Sequence, residues 1–435
     1  MTPGPTSAGP AARPLPPSLW VATAPPGPPT PMLRGTATCD VAVVGAGYTG
    51  LSAALHLAEH GAKVVAIDAG EPGWGASGRN GGQVIPGLKF DPDELERRFG
   101  PERGPRLVAF AGGAADLVFD LIQRHSIACD AVRAGWLQPA HSPAGRVATE
   151  RRAEQWARRG ADVAVLNRAE MAAMLGSEAY CGGLIDRRGG TIQPLGFARG
   201  LAAAAIGKGA VIHGGTLAET VRREDTQWRI ETVGGSLVAH AVLICTNGYT
   251  DSLVRGLAQD VLALNSYQAA TRPLSDHVRR SILAGGQGAS DTRRVLLYYR
   301  LDRDGRFIIG GRGGPEDQPG PAQCARLRRA AIELFPQLGS VEWSNHWAGR
   351  IALTRDHLPH PMELGPGLYA CIGYQGRGIA MATAMGQVLA ERVLGADPKD
   401  LPLEFGKPRP YPLHGLHPPV VYAVVHWNRM LDAIA

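Results

Sequence analysis

The chain has 435 residues, 44% of them apolar and 19% charged, and its 45 Lys and Arg against 39 Asp and Glu leave a net charge of +6. That length is too great for one small core and suits two interleaved lobes, and the ordinary apolar fraction excludes a chain disordered beyond its ends. The basic residues fall in scattered pairs (Arg151-Arg152, Arg222-Arg223, Arg279-Arg280, Arg328-Arg329), which reads as solvated surface and argues against nucleic acid as a partner.

Residues 1–37 are Pro-rich and without pattern, predicting an extended arm with one anchor at Leu19-Trp20 and no signal peptide. From Asp40 the pattern tightens. Val41–Val44 predicts a buried strand, Thr49–His60 a helix and Lys63–Ile67 a second strand. The apolar run from Val41 to Ala58 approaches membrane-span length, but its glycines favour strand, turn and helix, so no integral membrane segment is expected. A Gly-rich loop, Gly73–Gly82, follows. Asp91-Pro92 marks the N-cap of a helix over 92–125. Short strands and helices mix over 135–190, and Leu195–Gly207 is again helical. Three β-rich runs cover 211–223, 228–233 and 237–245. Asp302-Arg303-Asp304-Gly305 joins two strand-like runs into a hairpin. A helix is predicted over 321–335, a last core strand over Tyr369–Gly373 and a final helix over Gly376–Leu394. Together these predict an α/β fold, a Rossmann-type parallel-sheet domain interrupted by an antiparallel-sheet domain.

Three loops carry chemistry. Gly45-Ala46-Gly47-Tyr48-Thr49-Gly50 follows a strand and opens a helix, with Asp68 ending the next strand about 20 residues on. In a βαβ unit, Gly45 permits the tight turn, Gly47 lets backbone approach a pyrophosphate, and Gly50 lets the helix pack on the sheet. The helix N-terminus offers amides and positive dipole to the phosphates, and Asp68 accepts from ribose hydroxyls. Two further segments point to a flavin dinucleotide over a nicotinamide one. Gly73-Trp74-Gly75-Ala76-Ser77-Gly78-Arg79-Asn80-Gly81-Gly82-Gln83 offers many unobstructed backbone amides, suited to pyrophosphate and an isoalloxazine edge. Gly373-Tyr374-Gln375-Gly376-Arg377-Gly378 sits before a helix whose N-terminus suits the flavin pyrimidine edge, where reduction leaves negative charge.

These segments, with Asp40–Ala54 and Phe307-Ile308-Ile309-Gly310-Gly311-Arg312, resemble the D-amino-acid-oxidase superfamily, and within it the γ-glutamylputrescine oxidase-like amine oxidoreductases. The likeness runs from about residue 18 to 395. It implies one non-covalent FAD and a discontinuous two-domain fold, with 38–90, 191–260 and 346–400 binding FAD, 91–190 and 261–345 facing substrate, and 401–435 a tail. It implies oxidation of a C–N bond to an imine that water opens. By position, Gly45, Gly47, Tyr48, Thr49, Gly50, Asp68 and Ala69 would hold the ADP half. Ala76, Ser77, Gly78, Arg79, Asn80, Gly81, Gly82 and Gln83 would line pyrophosphate and flavin. Ala218 would meet adenine, Thr246, Asn247 and Gly248 would close over the cofactor, and Tyr374, Gln375, Gly376, Arg377 and Gly378 would meet the ring.

Two departures from the family pattern stand out. No Cys lies in Trp347–Asp356, where relatives with covalent flavin carry one. Ile379 and Ala380 stand where sarcosine-oxidising relatives place a Lys for the substrate carboxylate, although Arg312 or Arg350 offers a basic group. Amine oxidation on a flavin needs positioning and desolvation more than acid–base side chains. The expected substrate wall therefore comprises Tyr298, Tyr299, Trp347 and Tyr374, with Arg350. A D-amino-acid or N-methyl-amino-acid substrate, and a flavin-binding protein without turnover, stay open. The six cysteines form no close pair and the 13 histidines no metal spacing, with His357-Leu358-Pro359-His360 read as structural. A small-molecule substrate and a cytoplasmic location are expected, and Val420–Trp427 is expected to dock on the core or a partner.

Overall fold

The computed structural model describes residues 13–314, 316–412, 414–416 and Trp427. Two sheets organise them. In the first, Gly35–Val44 lies at the centre, paired in parallel with Val64–Ile67 on one side and Gly235–Ile244 on the other. Val211–His213 and Leu368–Ile372 extend it outward, also in parallel. Val64–Ile67 and Leu368–Ile372 are buried throughout, which is why they read as unbroken apolar runs. By contrast, Gln227–Thr232 alternates buried and half-buried positions, because it belongs to an antiparallel hairpin with Ala218–Glu224 that leaves one face open. Helices Tyr48–Glu59, Pro92–Arg124, Pro194–Gly207 and Gly378–Val393 bury their apolar faces in one cluster with this sheet.

The second sheet runs Trp343–Leu353, Leu262–Pro273, Arg306–Arg312, Leu297–Leu301, Gly288–Ser290, Trp136–Pro139, Gly183–Asp186, Val163–Leu166. It is antiparallel except where Gly288–Ser290 meets Trp136–Pro139. The predicted hairpin is there, with Leu301 opposite Phe307. Helix Pro321–Leu334 seals one face through Leu327, Ala331 and Leu334.

Four sequence expectations need correction. The arm is shorter than 37 residues, since Gly35, Thr36 and Ala37 already pair with Gly235, Ser236 and Leu237. Within it, Ser18 caps a short helix, Leu19–Thr23, that buries Leu19 and Trp20 almost completely. Residues 346–353, expected with the FAD domain, are hydrogen-bonded to Leu262–Ala269 in the second sheet. The long helix is broken at Gly100, whose φ of 75° no helix allows, and Asp91 does not cap it through its side chain. That carboxylate instead accepts from Arg152 at 2.6 Å.

The tail begins ordered: Leu401 and Leu403 are buried, and Gly406 bridges to Met362. Behind it His360 lies between Asp260 (2.5 Å) and Asp356 (2.9 Å). Burial alone would push its imidazolium down, but the two carboxylates outweigh that and hold its pKa at about 9. Residues 420–426 of the expected docking run lie outside the described residues. Among the described residues no helix is long and apolar enough to cross a membrane.

Candidate active site

A cavity of about 420 Å³ opens between the two sheets, within the usual range of small-molecule sites (~300–1,000 Å³). All three glycine loops border it, through Gly47 and Thr49, through Ala76, Ser77, Arg79 and Asn80, and through Tyr374–Gly378.

The first loop is tied together by sterics and one acid. A Cβ on Gly50 would stand 1.9 Å from the Gly45 carbonyl, so only glycine lets the helix start this close to the turn. Asp68 accepts from the amides of Ala46 and Gly70, each at 2.8 Å. Burial raises this carboxyl's pKa, and the two amides oppose the rise. Each carboxylate oxygen keeps a second lone pair for a ribose hydroxyl. Gly45, Gly50, Asp68, Ala69 and Ala218 do not border the cavity; they frame the turn and the strand ends beside it. Ala218 begins its strand two residues after Thr216, whose amide donates to the Asp68 carbonyl.

The second loop is held from every side. Ser77 accepts from the Tyr48 amide at 3.0 Å, and Asn80 donates to the Tyr48 hydroxyl at 3.1 Å. Trp20, from the arm, donates to the Asn80 carbonyl at 2.8 Å, while Trp347 and Gln268 both donate to the Arg79 carbonyl. The Arg79 guanidinium stacks between Trp74 and Tyr249 and donates to Gly75 and Tyr249, so its positive charge serves the loop. Burial draws its pKa down. Gly78 and Gly82 lie in the loop without bordering the cavity, and the Gly82 carbonyl accepts from Arg300.

The third loop turns through positive φ at Gly373, Gln375 and Gly376. Gln375 is the costly one, since a side chain there disfavours that region; its amide pins it to Thr354 at 2.6 Å. Asn247, on the segment after Gly235–Ile244, borders the cavity and accepts from the Gly373 amide, whereas Thr246 and Gly248 do not border it.

The expected aromatic wall is largely rearranged. Successive strand residues face opposite ways, so in Leu297–Leu301 Tyr298 takes the cavity and Tyr299 the core, against Phe307 and Phe335. A Cβ on Gly81 would meet the Tyr298 ring at 2.6 Å, which is why this loop needs glycine there. Trp347 is fully buried, edge-on to Trp20 with ring centroids 5.7 Å apart. It supports the Arg79 loop from behind and does not reach the cavity. Tyr374 borders the cavity, but its hydroxyl pairs with Thr49 at 2.6 Å and Cys371 at 3.1 Å, so it positions its own loop. Arg350 borders the cavity with its guanidinium on Asp317.

Sequence reading missed Lys89, Trp136, Gln138, Arg152, Asp291 and Arg293, which line the other side. They come from separate loops, strands and one helix, and no local motif links them. Among the described residues no group of acids, His or Cys could hold a metal.

Two buried acceptors, Gln83 Oε1 and Gln268 Oε1, have no donor, and both side chains border the cavity. An N–H group of a bound ligand would satisfy them. With the loops that border the cavity, this set fits FAD. The model of the FAD dependent oxidoreductase family matches residues 40–392. The chain belongs to that family. It is an FAD-dependent oxidoreductase.

Similar proteins agree. The chain is 35% identical to a probable oxidoreductase OrdL of Rhizobium meliloti (strain 1021), covering 87% of this chain and 88% of that one. It is 33% identical to the gamma-glutamylputrescine oxidoreductase of Escherichia coli (strain K12), covering 83% and 85%. The crystal structure of glycine oxidase from Geobacillus kaustophilus superposes with a TM-score of 0.71 at 23% identity, over 83% of this chain and 95% of that one, which shows the shared two-domain fold.

Proposed function

We propose that this oxidoreductase removes two electrons, as one hydride equivalent, from the carbon of the C–N bond of a primary or secondary amine, γ-glutamylputrescine-like in kind. FAD bound here would supply the two-electron acceptor for the hydride from the carbon next to nitrogen, with oxygen or another acceptor as its eventual oxidant. Loss of a proton from nitrogen leaves an imine, which water opens to an aldehyde and the released amine or ammonia. The cavity supports this reading by what borders it: the three glycine loops, Tyr298 as an aromatic wall, and, among the described residues, no acid–base pair beyond ion pairs already formed. The chain's part is to orient the amine and exclude water, which is most of what such a reaction asks. In keeping with non-covalent FAD, the strand Trp343–Leu353 contains no Cys, and burial raises the thiol of Cys245 at the cavity floor so that it stays protonated. The residue division into an FAD-binding and a substrate domain is part of the same proposal, with 346–353 moved to the second.

A second reading, an α-amino-acid or N-methyl-amino-acid substrate, draws on the glycine oxidases among the relatives, one of them 24% identical. Against it, Ile379 and Ala380 offer no charge after the third loop, and Arg350 is occupied by Asp317. Anaerobic titration of the holoenzyme, followed as bleaching of the flavin's visible absorbance, decides between them. Polyamines or γ-glutamylated diamines are expected to bleach it. Bleaching only by amines with a carboxylate on the oxidised carbon, or by sarcosine, would overturn the first reading.

A further inference from the structure

Two glutamines at the junction of the second loop and the second sheet are buried with an unanswered acceptor. Gln83 closes the loop and opens the short strand Gln83–Val84, and Gln268 lies in strand Leu262–Pro273. Gln268 is fully buried and Gln83 is 9% exposed. Their amide groups are locked against turning over. Gln83 Nε2 donates to the carbonyls of Ala289 at 2.9 Å and Tyr299 at 3.1 Å, and Gln268 Nε2 donates to the Arg79 carbonyl. A flipped amide would set oxygen against those oxygens, so in each side chain Oε1 is an acceptor only. Neither has a donor, although both side chains border the cavity. Gln138, which also lines the cavity, shows the ordinary arrangement: its Oε1 accepts from Arg152. A buried acceptor without a partner costs free energy, and a bound N–H would recover it.

We propose that Gln83 and Gln268 accept from N–H groups of the flavin ring, and that together they hold the reduced ring more tightly than the oxidised one. Oxidised isoalloxazine has one N–H, at N3. Reduction by a hydride equivalent adds two electrons and one hydrogen, which makes a second N–H at N5 and leaves the negative charge on the pyrimidine edge. The backbone amides of the glycine loops are donors, so they answer the ring's carbonyls and that charge but neither N–H. The two carboxamide oxygens have the complementary polarity. They adjoin Asn80 and Gly81, loop residues that border the same cavity, Gln83 along the chain and Gln268 through its bond to Arg79. One acceptor answers the N–H present in both states and the other the N–H gained on reduction, so binding shifts the flavin's balance towards the reduced form. This role is independent of which amine is oxidised.

Anaerobic titration of the holoenzyme against a reference dye, without amine, reads the midpoint potential. In the natural chain it is expected above that of free FAD. Gln83→Met and Gln268→Met each keep an unbranched side chain and remove the carboxamide. One is expected to lower the potential by about 30 mV, a tenfold loss in the preference for reduced flavin. The other is expected to weaken FAD retention roughly tenfold at an unchanged potential. Gln287→Met removes another buried Oε1 that lacks a donor but does not border the cavity, and is expected to change neither. Loss of loop support alone would weaken retention without moving the potential in either variant. A potential unchanged in both, or below that of free FAD in the natural chain, overturns the proposal. Should Gln268→Met fail to fold, exchange of the bound FAD for 3-methyl-FAD, which has no N3 hydrogen, serves instead. Retention is then expected to fall roughly tenfold, and retention equal to that of FAD overturns the proposal.

Discussion

The two halves of the cavity are built on different principles. On the cofactor side the working groups are backbone: turns closed by glycine, helix amides, and side chains such as Asp68, Arg79 and Tyr374 whose bonds hold those turns in place. On the side we propose for the substrate they are side chains, Lys89, Trp136, Arg152 and Tyr298, carried by segments far apart in the chain. A backbone cradle is fixed by short local patterns and tolerates little change, whereas a side-chain wall can be redrawn residue by residue while the fold stays as it is.

The sharpest way to break that contrast is Gly50→Ala. The added Cβ would collide with the Gly45 carbonyl at 1.9 Å, so the helix must shift off the turn. The variant is expected to purify without flavin colour and to melt earlier; full flavin occupancy would show that the cradle is not set by that contact. Next comes Trp20→Ala. It removes a buried ring from Trp347 and a donor from the Asn80 carbonyl, and is expected to cost ~3–5 kcal/mol in urea unfolding, with weakened flavin retention. A cost under ~1 kcal/mol would make the arm an accessory.

On the other side effects should be smaller and confined to ligand. The finest test pairs neighbours. Tyr298→Phe gives up the hydroxyl bond with Ser266 beside the cavity, 2.8 Å, and is expected to change amine-dependent flavin reduction roughly fivefold. Tyr299→Phe, one residue along but in the core, is expected to leave that rate unchanged. Equal effects would erase the distinction drawn between the two faces of this strand.

The same contrast explains what could be read early. Gly45, Gly47, Gly50 and Asp68 were legible because the turn they build depends on spacing within one βαβ unit, and spacing is written in the chain. The loops at 73 and 373 were legible through resemblance, and the structure brings both to one cavity. Choosing among Tyr298, Tyr299 and Trp347 depended on strand phase against a core, and a short apolar strand does not declare its phase. Lys89 gave no signal and Arg152 read as solvated surface, since each is an ordinary basic residue until the fold brings it to the cavity.

Sequence alone determined the parallel cofactor unit, the hairpin at 302–305 and the chemistry of the dinucleotide turn, because these rest on interactions between residues near each other along the chain. Only the tertiary structure decided that residues 346–353 join the second sheet, that Trp20 and Trp347 brace a loop from behind, and which side chains face the cavity. Those outcomes come from packing between segments hundreds of residues apart, where a side chain's role is set by its neighbours in space.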